Sequence, residues 1–202
     1  MISIIDASVG NFNSVANIIK KIGLNVKLNN NYDLISRSNI VILPGVGRFD
    51  IFMEKILFYK IDIAIKNAIE NGAKILGICV GMQVLLDFSE EGNSYGLGLI
   101  GGNVKKFNKT LDKKIKIPHM GWNKITFINK NFKISNGLDY NKFYFIHSYY
   151  AEPKNKKEII ATTNHGDDIA AIINRDKIYG VQFHPEKSHQ FGVKFFKNFL
   201  DA

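Results

Sequence analysis

The chain of 202 residues holds one cysteine, Cys79, and five histidines. Cys79 lies in "GICVG", between Gly77 and Gly81, with apolar runs on either side. Gly-x-nucleophile-x-Gly is the form of a nucleophile elbow, where glycines allow a sharp, crowded turn from strand to helix. Such a turn exposes its nucleophile at the C-terminal edge of a sheet, and the helix N-terminus favours a thiolate. A small buried hydrophobe is the plainer role for a lone Cys. Five residues alone leave both roles open. An attacking cysteine also needs a base, because a thiol of reference pKa about 8.5 is only partly ionised at pH 7. His184 in "YGVQFHPEKS" is the best placed of the histidines. It stands just past an apolar strand, Pro185 ends that strand, and Glu186 could orient the ring. Nucleophile, histidine and acid follow the logic of a triad, whose chain order varies between folds. Alone, "HPE" also reads as an ordinary strand-ending turn. A third stretch, "ILPGVG", ends another strand in a glycine-rich loop. The backbone N–H groups of Gly45, Val46 and Gly47, with that of Val80 after the cysteine, could hold a tetrahedral oxyanion. A plain βα turn or a phosphate loop is the alternative. No Gly-Lys-Ser/Thr follows, so this is not a Walker A motif.

The elements around these residues must place all three loops together. Met1–Ile5, Ile40–Leu43 and Lys74–Ile78 read as short, continuous apolar strands, with Asn25–Leu28 a weaker one. Val15, Ile18, Ile19 and Ile22 repeat at helical spacing, and Gly23 follows as a stop. Ile51–Leu57, Ile61–Glu70 and Met82–Phe88 also read as helices. Alternating β and α with continuous apolar strands predicts a parallel sheet covered on both faces. The second half changes character. Val104–Phe107, Ile115–Ile117, Lys124–Ile128, Lys142–Tyr150, Glu158–Thr162, Ile169–Asn174 and Ile178–Phe183 read as strands, and Phe191–Leu200 as a last amphipathic helix. The expected fold class is therefore α/β, mostly parallel, with antiparallel additions in the second half. No repeat or low-complexity linker interrupts residues 1–202, which read as a single domain.

Composition narrows the function classes. Hydrophobic residues make up 46% of the chain, as in a globular protein with a sizeable core. One cysteine allows no internal disulfide and no multi-cysteine zinc site. The start "MISIIDASVG" lacks a basic n-region and a long apolar core, so no signal peptide is expected. No window holds the roughly 18 apolar residues of a membrane span. A cytoplasmic location is the expectation. The formal net charge is +9. The lysines are scattered in pairs such as Lys20–Lys21, Lys105–Lys106, Lys113–Lys114 and Lys156–Lys157, and no run reaches five. There is no zinc-finger spacing and no aromatic RNA-binding signature. A solvated basic surface or an acidic protein partner fits better than nucleic acid.

In this order, "PGVG", "GICVGMQ" and "GVQFHPEKS" resemble the class I, triad-type glutamine amidotransferases, which share a flavodoxin-like fold. More closely, the chain resembles the glutaminase subunits of imidazole glycerol phosphate synthases. The match runs nearly end to end through "IIDASVGN", "ILPGVGRF", "LGICVGMQ", "SEEG", "GLGLI", "PHMGWN", "FYFIHSYY" and "GVQFHPEKS". The resemblance implies that Cys79 attacks the carboxamide of L-glutamine, that His184 moves the proton and that Glu186 orients His184. A γ-glutamyl thioester would form, release ammonia and hydrolyse to glutamate. Gln83, Ser148 and Tyr149 would hold the amino-acid end of the substrate. The loop at Gly45, Val46 and Gly47 would shape the oxyanion side and stay misaligned until a partner carries its own ligand. That partner would be a (β/α)₈ barrel subunit, which uses the ammonia to make imidazole glycerol phosphate in histidine biosynthesis. Trp122, Tyr144 and Lys187 would form the docking face of a heterodimer. No cofactor and no metal is implied. One departure matters. "KSHQFG" after the triad looks like a paralogous group that feeds ammonia to a surface-sugar amidotransferase. A cysteine peptidase on a related scaffold and a non-catalytic interaction subunit are more distant alternatives. "PHMGWN" speaks against the first and the intact triad positions against the second.

Overall fold

The computed structural model describes residues 1–6, 11–108 and 115–202. Residues 7–10 of the "IIDASVGN" stretch and the Lys113–Lys114 pair lie outside the described residues. The first half runs β1 (Ile2–Ile5), α1 (Phe12–Lys21), β2 (Val26–Asn29), α2 (Tyr32–Ser36), β3 (Ile40–Gly45), α3 (Phe49–Phe58), α4 (Ile61–Glu70), β4 (Lys74–Cys79) and α5 (Val80–Gln83). The second half is mostly strand. It holds β5 (Phe88–Ser89), β6 (Ser94–Tyr95), β7 (Gly102–Lys106), β8 (His119–Lys124), β9 (Thr126–Phe127), β10 (Lys142–His147) and β11 (Tyr149–Pro153). It closes with β12 (Ile159–His165), β13 (Asp167–Arg175), β14 (Ile178–Val181) and α6 (His189–Asp201).

The main sheet has eight strands in the order β2-β1-β3-β4-β14-β13-β12-β9. The five from β2 to β14 are parallel, and β13, β12 and β9 continue it antiparallel. This is the arrangement expected from the change of pattern midway along the chain. Val41, Ile42, Leu43, Ile75 and Leu76 are wholly buried, because helices cover both faces of the parallel part. Each such side chain contributes about 1.5–3 kcal/mol by leaving water. Among the described residues, no helix is long and apolar enough to cross a membrane.

Four expectations need correction. The helix expected at Met82–Phe88 is a single turn, Val80–Gln83. Beyond it a strap folds back, and the N–H groups of Leu97, Leu99 and Gly98 donate to the carbonyls of Val84, Leu85 and Leu86. The apolar run is buried on all sides rather than along one helical stripe. Ile115–Ile117 is not a strand; pairing starts only at His119, past Pro118. Lys124–Ile128 divides between the end of β8 and the short β9. Lys142–Tyr150 breaks at Ser148, because β10 pairs with β8 while β11 pairs with β7 in another sheet. The short helix α2 was not expected. Asn31 caps it by accepting the Leu34 N–H at 3.0 Å.

The β8–β10 hairpin lies beside the main sheet and packs around histidines. His119 stacks on Phe145 and on His165, and its Nδ1 lies 2.9 Å from Nε2 of the buried His147. Burial, reinforced by the nearby His165, lowers the pKa of His119 to about 4. Burial, reinforced chiefly by His119, lowers that of His147 to about 3. Both rings are neutral at pH 7.

Two predictions follow from this packing. A Cβ on Gly81 would collide with the Leu43 carbonyl, so Gly81→Ala should lower the unfolding free energy by about 3 kcal/mol or leave the chain insoluble. Urea denaturation and the soluble yield measure this, and an unchanged midpoint would contradict the packing. The histidines set an acid limit. Their folded pKa values lie below the unfolded value of about 6.5, so their stabilisation is present above that pH. It is lost as pH falls towards 4 and 3, where the unfolded chain binds protons that the folded chain refuses. The urea midpoint should therefore drop between pH 7 and 4.5, and less steeply in His119→Phe. Equal slopes for the two proteins would show that His119 contributes nothing to the acid limit.

Candidate active site

Three neighbouring parallel strands deliver the three loops to one edge of the sheet. β3 ends at Gly45, which pairs in register with Cys79 at the end of β4. β14 pairs with β4 on the other side, Val181 beside Ile78, and runs on to His184. Ligands bind outside the C-terminal ends of strands in open parallel sheets. Here those ends border a cavity of about 710 Å³, within the range of small-molecule sites. Val46, Gly47, Cys79, Val80, Gln83, Ser148, Tyr149, His184 and Lys187 all line it. Gly45 and Glu186 are not in the lining but adjoin residues that are, Gly45 pairing with Cys79 and Glu186 touching His184.

Cys79 is an elbow in geometry as well as in sequence. Its backbone sits at φ 55° and ψ −112°, between the last strand position of β4 and the first turn of α5. Gly77 lets this turn close, since a Cβ there would strike the Gly81 carbonyl. The sulfur is nearly buried and approached by two polar groups. The Gln182 amide N–H points at it from 3.8 Å, and the Ile146 carbonyl lies 3.9 Å away.

His184 is 1% exposed. Its Nδ1 lies 2.8 Å from Glu186 Oε1, which also accepts from Asn11 Nδ2 at 3.3 Å. Its backbone N–H donates to the Tyr144 carbonyl at 2.8 Å, so β10 holds the ring's main chain. Among the described residues Nε2 has no hydrogen-bond partner. The Cys79 sulfur nonetheless acts on the ring both through charge and through a side-chain hydrogen bond that falls short of ideal geometry. Burial opposes charge on the ring, but Cys79 and Glu186 together outweigh it and raise the pKa to about 10. An imidazolium beside a sulfur is the arrangement that favours a thiolate nucleophile.

The far side of the cavity is polar. Gln83 is buried, and its Nε2 donates to the Tyr149 carbonyl at 3.0 Å and to Gln182 Oε1 at 3.1 Å. Sequence reasoning did not single out Gln182. It lies two residues before His184, and alternate strand positions share a face, so the spacing contained that signal. Glu91, in "SEEG", was also missed. It lines the cavity, and its carboxylate accepts the Phe49 N–H at 2.9 Å. Burial raises its pKa, partly offset by that N–H. Asn11, Pro118, Ile146 and His147 complete the lining.

Trp122, Tyr144 and Lys187 come together on the outer face. Trp122 and Tyr144 are partners in register across β8 and β10, with ring centroids 6.0 Å apart. Lys187 Nζ lies 5.6 Å above the Tyr144 ring. Trp122 is 45% exposed, which rules out a core role, and it stacks on His189 with planes 6° apart.

Comparisons with known proteins identify the family and the fold. The model of the family described as glutamine amidotransferase class-I matches residues 3–202. The imidazole glycerol phosphate synthase subunit HisH 2 of Methanococcus maripaludis is 45% identical, with 99% of this chain and 98% of that protein covered. Subunit HisH of Leptospira borgpetersenii is 42% identical, with 98% of each covered. Subunit HisH 2 of Pseudomonas aeruginosa is 38% identical over 100% of this chain and 99% of its own. Among solved structures, a glutamine amidotransferase superposes with TM-score 0.74 at 16% identity, over 99% of this chain and 97% of that one. PurLQS of Thermotoga maritima does so with the same score at 17% identity and the same coverage. At such identities these structures speak for the fold alone. The chain belongs to the class-I glutamine amidotransferases.

Proposed function

We propose that this chain is the glutaminase subunit of an imidazole glycerol phosphate synthase, with Cys79, His184 and Glu186 as its triad. The observation that carries the reading is the Cys79 elbow beside the His184–Glu186 pair in one substrate-sized cavity. The family and the full-length relatives support the same chemistry. The thiolate attacks the carboxamide carbon of L-glutamine, and the carbonyl electrons move to oxygen. N–H groups of Val80 and of the Gly45–Val46–Gly47 loop receive that oxyanion. His184 gives its proton to the leaving nitrogen, and ammonia departs from a γ-glutamyl thioester. His184 then takes a proton from water, which attacks the thioester and restores thiolate and glutamate. Gln83, Ser148 and Tyr149 hold the amino-acid end, and Glu91 provides a carboxylate for its ammonium group. The ammonia passes to a (β/α)₈ barrel subunit docked on Trp122, Tyr144 and Lys187.

A second reading concerns the pathway. His189, the residue of the "KSHQFG" departure, stacks on Trp122, one of the residues proposed for docking. A change there alters the partner without touching the triad, as a barrel from surface-sugar synthesis would require. Adding each type of barrel to the purified chain distinguishes the two.

Cys79→Ser should abolish glutamate formation and leave the fold intact. A glutamine-like electrophile should label residue 79 by mass spectrometry. An active Cys79→Ala protein contradicts the nucleophile. His184→Ala should lose about 10²–10⁴-fold in turnover, as expected for a general acid–base group. Glu186→Gln should lose less, because it acts through the ring. Wild-type activity in His184→Ala removes the triad.

The partner provides a separate test. The isolated chain should be slow, and a barrel with its ribonucleotide ligand should stimulate it. One missing oxyanion donor typically costs about 10²–10³ in turnover. Lys187→Ala should respond less to the barrel. Full activity of the isolated chain contradicts gating by the partner.

A further inference from the structure

The cavity wall contains a directed chain of hydrogen bonds that the triad chemistry does not use. His147 Nδ1 lies 2.7 Å from the Tyr149 carbonyl, which can only accept, so Nδ1 carries a proton. The ring is buried and neutral, so its Nε2 must accept. Its partner is His119 Nδ1 at 2.9 Å, which therefore donates. His119, also neutral, then accepts at Nε2 from Asn123 Nδ2 at 3.1 Å. Asn123 cannot be turned round, because the same Nδ2 donates to the Asn164 carbonyl at 2.7 Å while its Oδ1 accepts the Lys124 N–H at 2.8 Å. Every proton in the run from Asn123 to His119, His147 and Tyr149 is assigned by its neighbours. The run begins on β8, next to Trp122, and ends on the carbonyl that also receives Gln83.

We propose that His119 and His147 are positioning residues, a one-way hydrogen-bond relay that holds the Tyr149 carbonyl and the Gln83 amide in place for glutamine and links them to the docking hairpin. The proposal rests on the glutaminase reading for its substrate, while the relay itself rests on the geometry. Neither ring touches the reacting atoms. A protonated or flipped ring would leave two donors or two acceptors facing each other. In a buried chain that mismatch displaces the groups at its end.

The test uses two substitutions at His119 in the chain combined with its barrel partner. His119→Phe keeps an aromatic ring between Phe145 and His165 but cannot donate to His147. His119→Asn restores a donor at the position of Nδ1 and gives up the stacking. The KM for glutamine should rise about tenfold in His119→Phe with kcat nearly unchanged, since a lost buried hydrogen bond is of that size. His119→Asn should recover most of the KM. A purely structural role predicts the reverse order, because phenylalanine packs better. Nitrogen-15 spectra of the isolated chain read the relay without any activity. His147 should be the Nδ1–H tautomer in wild type and lose that pure signature in His119→Phe. An unchanged KM in His119→Phe, or a wild-type His147 protonated at Nε2, overturns the relay. A wild type that forms no glutamate overturns the glutaminase reading instead, and the tautomer then decides the relay alone.

Discussion

The backbone of Cys79 holds φ at 55° without being glycine, and the rest of the site depends on that one conformation. Such a residue costs on the order of 1–3 kcal/mol and persists only where its surroundings over-determine it. Here they do. β4 is hydrogen-bonded on both sides, by β3 and by β14, so the strand cannot shift to relieve the turn. Gly77 and Gly81 let the chain cross itself and lie against the Leu43 carbonyl without a side chain between. Val84, Leu85 and Leu86 then anchor the far end of the turn in the core. The strain is held by packing, and its result is a sulfur directed into the cavity at the start of α5.

The electrostatic design depends on the same sheet. β14 ends one strand away from the elbow, which brings a buried histidine to a nearly buried sulfur. Burial alone would keep the ring neutral, as it does for His119 and His147. The difference at His184 is the Cys79 sulfur and, after it, Glu186, whose side chain is as buried as the ring it touches at 2.8 Å. A sulfur and a carboxylate thus set His184 apart from the neutral His147 within one cavity wall. His147 is kept neutral and lies 2.7 Å from a carbonyl, and His184 is kept charged beside a sulfur.

The parts legible in the sequence were those set by local chemistry. Gly77, Cys79 and Gly81 describe a turn within five residues, and the apolar runs of β1, β3 and β4 need no distant partner to be recognised. The strand before His184 ends at Val181, and Pro185 instead opens a short 3-10 turn. The parts that were not legible are set by contacts far along the chain. The apolar Met82–Phe88 looks helical until the strap around Leu97 takes its carbonyls. Lys142–Tyr150 carries no breaker at Ser148, and only the two separate sheets divide it. Glu91 reaches the cavity through its bond to Phe49, 42 residues away. The pairing of His119 with His147 spans 28 residues and has no periodic signature.

The hairpin that sequence patterns resolved least is also the one with most to connect. Its outer face presents Trp122 and Tyr144, and its inner face presents His119, Phe145 and His147. Alternation along β8 and β10 produces that division, because successive side chains point to opposite faces. Tyr144 adds a backbone bond to His184, and Ile146 places its carbonyl at the sulfur. A displacement of the outer face would therefore act on residues one position away from the cavity lining. Close-packed interiors transmit such displacement rather than absorb it. Two antiparallel strands thus connect the outer face of Trp122 and Tyr144 to the wall of the cavity that the elbow enters.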